Sequence, residues 1–173
     1  MLLLKERGWD IHYMNLCTGN GGSVQMDGPT TTRKRLEEGK EAARILDLGS
    51  GDGRIPVTAA KKFGIRAVGI DIDPDRIKEA NANAKRNGVE NLVKFRNEDL
   101  FRADFREATV VTLYLLPDLN VKLRPKLWRE LKPGTRIVSH QFDMGDWKPE
   151  KTIDLNGRTI YFWTVPARRE AKK

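Results

Sequence analysis

Residues 45–53, Ile-Leu-Asp-Leu-Gly-Ser-Gly-Asp-Gly, constrain the fold of this chain more than any other stretch. The apolar residues at 45–48 predict a short buried strand, and the glycines that follow give the backbone freedom that a tight turn needs. Residues 54–63 carry apolar side chains at helical spacing, and Gly64 is placed to end that helix. A strand, a glycine turn and a helix N-terminus in this order predict a ligand site at the end of the strand.

Apolar runs and helical patterns alternate along most of the remaining chain. Strands are predicted at residues 67–71, 92–95, 110–116 and 136–142, and helices at residues 74–87 and 118–131. Asp118 is the expected N-cap of the later helix, and Pro125 inside it predicts a kink or two short pieces. Strands that alternate with helices over short connections predict an α/β doubly wound sheet with helices on both faces.

The end of the chain has a different pattern. Residues 151–155 and 159–165 are predicted as two strands, and Asn156 and Gly157 lie between them. Both residues tolerate the positive φ of a type I′ turn, which makes this pair a strong hairpin signal. The sheet is therefore expected to finish with a C-terminal antiparallel hairpin and to be mixed.

Length and composition limit the remaining possibilities. The 173 residues suffice for one domain, which we expect at residues 29–173, after a partly flexible N-terminal segment at residues 1–28. A helix is expected at residues 30–43. Cys17 is the only cysteine, so an internal disulfide is excluded and a cytoplasmic location is favoured. With two histidines besides, a zinc site is not expected, and no metal is assigned.

The charge and hydropathy of the chain bear on its partners. No apolar run approaches the roughly 20 residues that cross a bilayer, so no membrane association is expected. The net charge of +8 attracts nucleic acid or acidic proteins, or it simply describes a well-solvated surface. A monomer is favoured.

Two cofactors fit the glycine loop, a dinucleotide and S-adenosylmethionine. Gly49 and Gly51 match the dinucleotide fingerprint Gly-x-Gly-x-x-Gly/Ala, but its last position is Arg54, and the final glycine comes one residue early, at Gly53. The loop also contains Asp52. A carboxylate disfavours a pyrophosphate at this helix N-terminus and suits a sulfonium cation.

Acidic residues also follow the next two predicted strands. Asp71 is placed to accept hydrogen bonds from ribose hydroxyls, and Asp99 from the adenine amino group, with Ile72 and Leu100 on the two sides of the adenine ring. Alternatively, these acids only cap turns. The predicted cofactor-binding residues are Asp47, Gly49, Ser50, Gly51, Gly53, Asp71, Ile72, Asp99, Leu100 and Leu113.

Residues 47–54 (DLGSGDGR) and 69–74 (GIDIDP) resemble the motifs of class I S-adenosylmethionine-dependent methyltransferases. The resemblance covers residues 44–165 and implies a Rossmann-like sheet of seven strands in the order 3-2-1-4-5-7-6. Residues 107–116 and 131–140 are similar to archaeal broad-specificity protein-lysine methyltransferases and their mitochondrial relatives. Before residue 44 the chain departs from that pattern, since Pro29 and Thr30 alone stand for a Pro-Thr-Pro-like segment.

This resemblance implies transfer of a methyl group to the side-chain amine of lysine in a protein, with S-adenosylhomocysteine as product. Tyr114 and His140 are the predicted catalytic residues, and Trp147 either lines the acceptor channel or anchors a loop. Residues 115–118 (LLPD) lack the Asp/Asn-Pro-Pro-Tyr/Phe tetrad of adenine and glutamine N-methyltransferases. The alternatives are an RNA or small-molecule methyltransferase, a non-catalytic cofactor-binding module and, more remotely, a dinucleotide oxidoreductase.

Overall fold

The computed structural model describes residues 44–167, and seven strands within them form one mixed sheet. The strands are β1 (Arg44–Leu48), β2 (Arg66–Asp71), β3 (Val93–Asn97), β4 (Val110–Leu113), β5 (Arg136–His140), β6 (Lys151–Asp154) and β7 (Thr159–Thr164). Their order across the sheet is β3-β2-β1-β4-β5-β7-β6, and β7 is antiparallel to both of its neighbours. The predicted fold class and strand order are confirmed.

Three helices connect these strands, namely α1 (Arg54–Phe63), α2 (Pro74–Arg86) and α3 (Pro117–Glu130). α1 starts directly after the glycine loop and ends at Gly64, whose N–H donates to the Ala60 carbonyl at 2.9 Å. α2 is capped by Asp73, whose side chain accepts from the N–H of Asp75 at 2.8 Å. Local capping therefore sets the ends of these two helices. None of the helices within residues 44–167 has the length and apolarity to cross a membrane.

β1 lies inside the sheet and is buried on both faces. Ile45 packs in one cluster with α1 and α2, whereas Leu46 and Leu48 pack in a second cluster with α3. Because side chains alternate along a strand, the two clusters lie on opposite faces, and helices cover both. The glycine loop therefore extends from an enclosed, rigid strand.

The strand order reverses at β1, which pairs with β2 on one side and with β4 on the other. Leu48 is level with Ile70 of β2 and with Leu113 of β4, so the three strands end together. In doubly wound sheets, ligands bind outside the carboxyl ends of the strands at such a reversal. The fold thus places the glycine loop where a ligand is expected.

The hairpin at the end of the sheet is confirmed. Asn156 and Gly157 have φ values of +55° and +79°, as a type I′ turn requires, and the N–H of Leu155 donates to the Arg158 carbonyl at 2.8 Å. The turn sets the register in which β6 and β7 pair.

α3 differs from its prediction in two respects. It begins at Pro117 with Leu116 as N-cap, so the expected cap at Asp118 is wrong, and Asp118 lies in the first turn. A proline suits the first helical position because its missing N–H would have no partner there. Pro125 does not divide the helix: α3 runs without interruption from Pro117 to Glu130, with Pro125 on its exposed side.

Strand lengths differ as well. β4 and β5 end earlier than predicted, and β5 ends because Gln141 turns the chain with a φ of +68°. The predicted helix at residues 30–43 and the predicted segment at residues 1–28 lie outside the described residues, so both stay predictions.

Candidate active site

The carboxyl ends of β1 to β5 lie along one edge of the sheet, because these strands are parallel. We divide this edge into two parts. The glycine edge consists of residues 49–53, 71–73 and 98–101, which follow β1, β2 and β3. The aromatic edge consists of residues 114–116 and 140–143, at the ends of β4 and β5.

Backbone hydrogen bonds attach the glycine loop to β2. The N–H groups of Gly49 and Ser50 both donate to the Ile70 carbonyl, at 2.9 and 3.0 Å. The N–H of Gly51 donates to Asp71 Oδ2 at 2.8 Å, so the carboxylate at the end of β2 fixes the middle of the loop. The three loop glycines have φ values from +52° to +75°, a region that favours glycine.

Two of these glycines also lie against neighbouring side chains, which would have to move to make room for a Cβ. A Cβ on Gly49 would overlap Cδ2 of Leu115, and a Cβ on Gly53 would lie 2.6 Å from Cε1 of Phe95. The loop is therefore packed closely on both sides. Since Leu115 belongs to the aromatic edge, its contact with Gly49 also brings the two edges together.

Asp71 and Asp99 each support a backbone turn. Besides the Gly51 bond, Asp71 Oδ1 accepts from the N–H of Asp73 at 3.0 Å. Asp99 Oδ1 accepts from the N–H of Phe101 at 2.9 Å. The turn-capping role is therefore present in both acids. A carboxylate oxygen accepts two hydrogen bonds, so both side chains keep capacity for ligand hydroxyl or amino groups.

Ile72 and Leu100 differ in exposure. Ile72 is 70% exposed and offers an apolar surface beside Asp71. Leu100 is half-buried and packs against the core on the α3 side. An apolar side chain next to a hydroxyl-binding carboxylate suits the adenosine part of a ligand, and the adenine contact of both residues stays a prediction.

Asp47 is buried beneath the loop. Its side chain is 2% exposed, and its Oδ1 accepts from Thr112 Oγ1 at 2.6 Å. Burial raises the pKa of Asp47 to about 7 against the effect of the Thr112 bond, and the charges of Asp71 and Asp52 add to the rise. A nearby cation would lower this pKa, so Asp47 favours a positively charged ligand.

Asp52 is paired within the loop. Its two oxygens accept from Nε and Nη2 of Arg54, at 2.9 and 2.8 Å, and this contact holds the pKa of Asp52 below its usual value. The guanidinium balances the carboxylate, so Asp52 does not disfavour a pyrophosphate as the sequence led us to expect. The acidic character of this edge comes instead from Asp71 and Asp99, with Asp47 buried beneath the loop.

Ser50 and Leu113, which are both predicted cofactor residues, lie in different surroundings. Ser50 Oγ is buried and has no hydrogen-bond partner among residues 44–167. Buried hydroxyls normally have one, so Ser50 fits a site that a ligand completes. Leu113 is 1% exposed and packs inside the core that α3 covers, and its predicted cofactor contact stays a prediction.

Three rings meet at the aromatic edge. Tyr114, which is 57% exposed, lies edge-on to His140 with ring centroids 4.4 Å apart and is stacked on Phe142 at 6.4 Å. The structure thus brings the two predicted catalytic residues together. Sequence reasoning missed Phe142, because only the turn at Gln141 brings its ring to the same place as that of His140.

His140 is buried without a polar partner. It is 5% exposed, and neither Nδ1 nor Nε2 has a hydrogen bond to the residues that the structure describes. Burial lowers its pKa, and the charge of Arg158 lowers it further. His140 is therefore neutral at pH 7, with one nitrogen that accepts and one that donates. A ligand at this edge would satisfy them.

Trp147 lies outside this group of rings. It packs against Trp128 and Trp163, and its carbonyl accepts from the Trp163 indole N–H at 2.9 Å. Trp147 therefore anchors the connection before β6, which is one of the two roles that the sequence allowed.

The model of the ANTKMT methyltransferase domain family matches residues 47–151, from β1 to the start of β6. The chain belongs to this family. It is an S-adenosylmethionine-dependent methyltransferase. Membership overrules the dinucleotide oxidoreductase and the non-catalytic module as alternatives.

Its relatives carry names that differ in the acceptor. A protein-lysine N-methyltransferase from Saccharolobus islandicus is 45% identical over 70% of this chain and 78% of its own length. The adenine nucleotide translocase lysine N-methyltransferase of Mus musculus is 37% identical over 70% of this chain, which spans only 53% of that longer relative. The crystal structure of an RNA methyltransferase from Salinibacter ruber with S-adenosylhomocysteine has a TM-score of 0.73 and 53% identity, covering 86% and 98% of the two chains.

The glycine edge fits S-adenosylmethionine chemically. Ser50 presents a buried hydroxyl without a partner among residues 44–167. Buried Asp47 and the half-buried Asp71 suit a ligand that carries a sulfonium and an ammonium group. Within the same residues, no cluster of three or more His, Cys, Asp or Glu side chains could hold a metal ion.

Proposed function

We propose that this methyltransferase acts on the side-chain amine of lysine in a protein. The observation that carries the proposal is the pair of Tyr114 and His140, in which a buried imidazole without a partner among the described residues adjoins a half-exposed phenol. Leu115, the neighbour of Tyr114, packs on the cofactor loop. The names of the archaeal and mouse relatives support the same acceptor.

A lysine acceptor needs help to lose a proton. Its amine has a pKa of about 10.4 in water, so it arrives as an ammonium ion without a free lone pair. When bound, S-adenosylmethionine would supply a methyl group on a positively charged sulfur, and only the neutral amine has the lone pair that could accept it. The accepting nitrogen of neutral His140 can take a hydrogen bond from the ammonium and then its proton.

Tyr114 and Phe142 would shape the entrance for this side chain. The Tyr114 hydroxyl can orient the amine, and the two stacked rings provide apolar walls for the lysine methylenes. The walls also keep water away from the amine, so the displacement takes place between groups already in position.

RNA is the second candidate acceptor. The specific observation in its favour is the 53% identity to the Salinibacter ruber RNA methyltransferase, and the net charge of +8 gives general support. An RNA-binding enzyme would lose affinity steeply with salt, whereas recognition of one lysine side chain would not.

Incubation with methyl-labelled cofactor, a protein lysate and total RNA separates these candidates. We expect label that survives ribonuclease, disappears with protease and is recovered as methyllysine after acid hydrolysis. The His140→Gln protein serves as the matched control for background labelling. Label confined to RNA would overturn the lysine proposal and establish the second candidate. The cytoplasmic location and the monomeric state stay predictions from composition.

A further inference from the structure

The connection that leaves β5 is strained. Gln141 has a φ of +68°, and the N–H of Phe142 donates to the His140 carbonyl, two residues back, at 2.9 Å. This geometry is a γ-turn with a positive central φ, which is rare and unfavourable for a residue with a side chain. The turn separates His140 from Phe142 and brings both rings against Tyr114.

Asn120 of α3 holds this turn from below. It is fully buried, and its Nδ2 lies 3.2 Å from the Phe142 carbonyl oxygen and 3.1 Å from that of Asp143. It also lies 3.2 Å from Ser139 Oγ, which itself donates to the Phe142 carbonyl at 2.6 Å. Carbonyl oxygens only accept hydrogen bonds, so the amide nitrogen must face the turn.

This arrangement is unfavourable for folding alone. Asn120 lies among leucines on the buried side of α3, and its Oδ1 has no partner among the described residues. An apolar residue there would avoid the cost of an unpaired buried oxygen, but it would leave the Asp143 carbonyl without this donor, so Asn120 is retained for what it holds. Two unfavourable features, a buried amide and a strained glutamine, therefore coincide at one turn, which is typical of sites where function fixes the geometry.

We propose that Asn120 is a positioning residue for methyl transfer: it holds the γ-turn at Gln141 and so places His140 and Phe142 against Tyr114. This inference rests on the proposed function of the aromatic edge. Asn120 lies beneath the turn and acts on the reacting groups only through the backbone carbonyls of Phe142 and Asp143. Without its two bonds to carbonyl oxygens, the turn relaxes and the His140 ring moves away from Tyr114. A displacement of about 1 Å at a reacting group lowers kcat roughly 100-fold.

The test compares Asn120→Ala with Leu127→Ala, a matched truncation on the same helix that leaves the turn untouched. Leu127 is fully buried in the core and has no role at the edge. A second pair changes the turn directly, since glycine tolerates the φ of Gln141 and valine does not. The readouts are Tm, S-adenosylhomocysteine affinity, kcat on whichever polymer accepts the label, and the NMR signal of the His140 ring. The chain has two histidines, so His140→Gln assigns that signal.

We expect Asn120→Ala to lower kcat about 100-fold, to shift the His140 signal and to leave the affinity for S-adenosylhomocysteine within twofold. Leu127→Ala should lower Tm without changing the signal, and Gln141→Gly should retain at least about tenfold more activity than Gln141→Val. An unchanged His140 signal in Asn120→Ala, or an equal loss of kcat in Leu127→Ala, would overturn the inference. The NMR readout needs no methyl acceptor, so it decides this point even if lysine is not the acceptor.

Discussion

The glycine edge and the aromatic edge are built in different ways. Turns on the glycine edge form locally, because glycines supply positive φ values and carboxylates bond to backbone N–H groups two residues ahead. On the aromatic edge, Gln141 takes a positive φ and Asn120, from a separate helix, holds the turn. The first edge combines local turns with hydrogen bonds between the neighbouring strand ends of β1 and β2, whereas the second depends on a side chain from a separate helix.

The difference follows the chemistry that each edge has to perform. The enzyme binds one and the same cofactor in every reaction cycle, and a rigid, preformed loop suits that task. Gly49, Gly51 and Asp71 provide such a loop. The proposed lysine acceptor would have to be oriented and deprotonated, and the nitrogens of His140, which have no partner among the described residues, are available for that task. The aromatic edge therefore holds more unfavourable features, which only the rest of the fold sustains.

The largest expected effect is on the aromatic edge. His140→Gln should lower kcat roughly 1,000-fold, because glutamine cannot take the proton that a neutral imidazole takes. Cofactor affinity should stay within twofold, since the glycine edge is untouched. Single-turnover kinetics and calorimetry with S-adenosylhomocysteine check the two parts. Asp118→Asn, at an exposed residue, is the control and should keep its kcat. If the kcat of His140→Gln stays within threefold of that of the original protein, His140 has no role in the reaction.

Asp47→Asn tests the buried acid of the glycine edge. Its pKa rises from 3.8 to about 7 on folding, so its protonated form stabilises the unliganded protein at low pH, and this contribution is lost as pH rises through 7. A rise of this size corresponds to about 4 kcal/mol. The asparagine side chain does not titrate, and its amide oxygen can still accept the hydrogen bond from Thr112 Oγ1.

Urea unfolding at pH 4 and pH 8 measures this effect. The stability of Asp47→Asn relative to the original protein should increase by about 4 kcal/mol between these two pH values. A constant difference would show that Asp47 titrates normally in the folded protein.

Gly49→Ala tests how closely the two edges are joined. The substitution combines an unfavourable φ of +75° with an overlap on Leu115, and the displaced loop should bind S-adenosylhomocysteine about 100-fold more weakly, the equivalent of about 3 kcal/mol. Gly88→Ala is the matched control, because its φ is +65° but its Cβ would meet open space. Gly88→Ala should cost stability alone, and an equal loss of affinity in both variants would contradict the packing explanation.

How far the sequence predicts each edge follows from these differences. Glycines, caps and the Asn156-Gly157 turn are local signals, and α1, α2 and the hairpin follow from them. The sheet order is implied by the resemblance to class I methyltransferases and is not a local signal. The sequence also indicated that Tyr114 and His140 lie near each other. It did not indicate Asn120, Phe142 or the turn between them, because an asparagine within a helical pattern has no local signature and glutamine does not favour positive φ. The cofactor contact of Leu113, whose side chain is 1% exposed, stays a prediction.

The smallest effect is expected from glycine substitutions at Gln141 and Asn156, the two described non-glycine residues with a positive φ. Gln141→Gly should stabilise the protein by about 1 kcal/mol or less, because it relieves a backbone conformation that glutamine disfavours but loses the 3.4 Å bond from the Thr159 N–H to Gln141 Oε1. Asn156→Gly, in the hairpin turn, should change stability by only a few tenths of a kcal/mol, because asparagine tolerates that conformation. Urea unfolding at a fixed pH measures both. Equal gains would mean that the aromatic edge holds no more strain than an ordinary turn, and the contrast between the two edges would then rest on His140 and Asn120 alone.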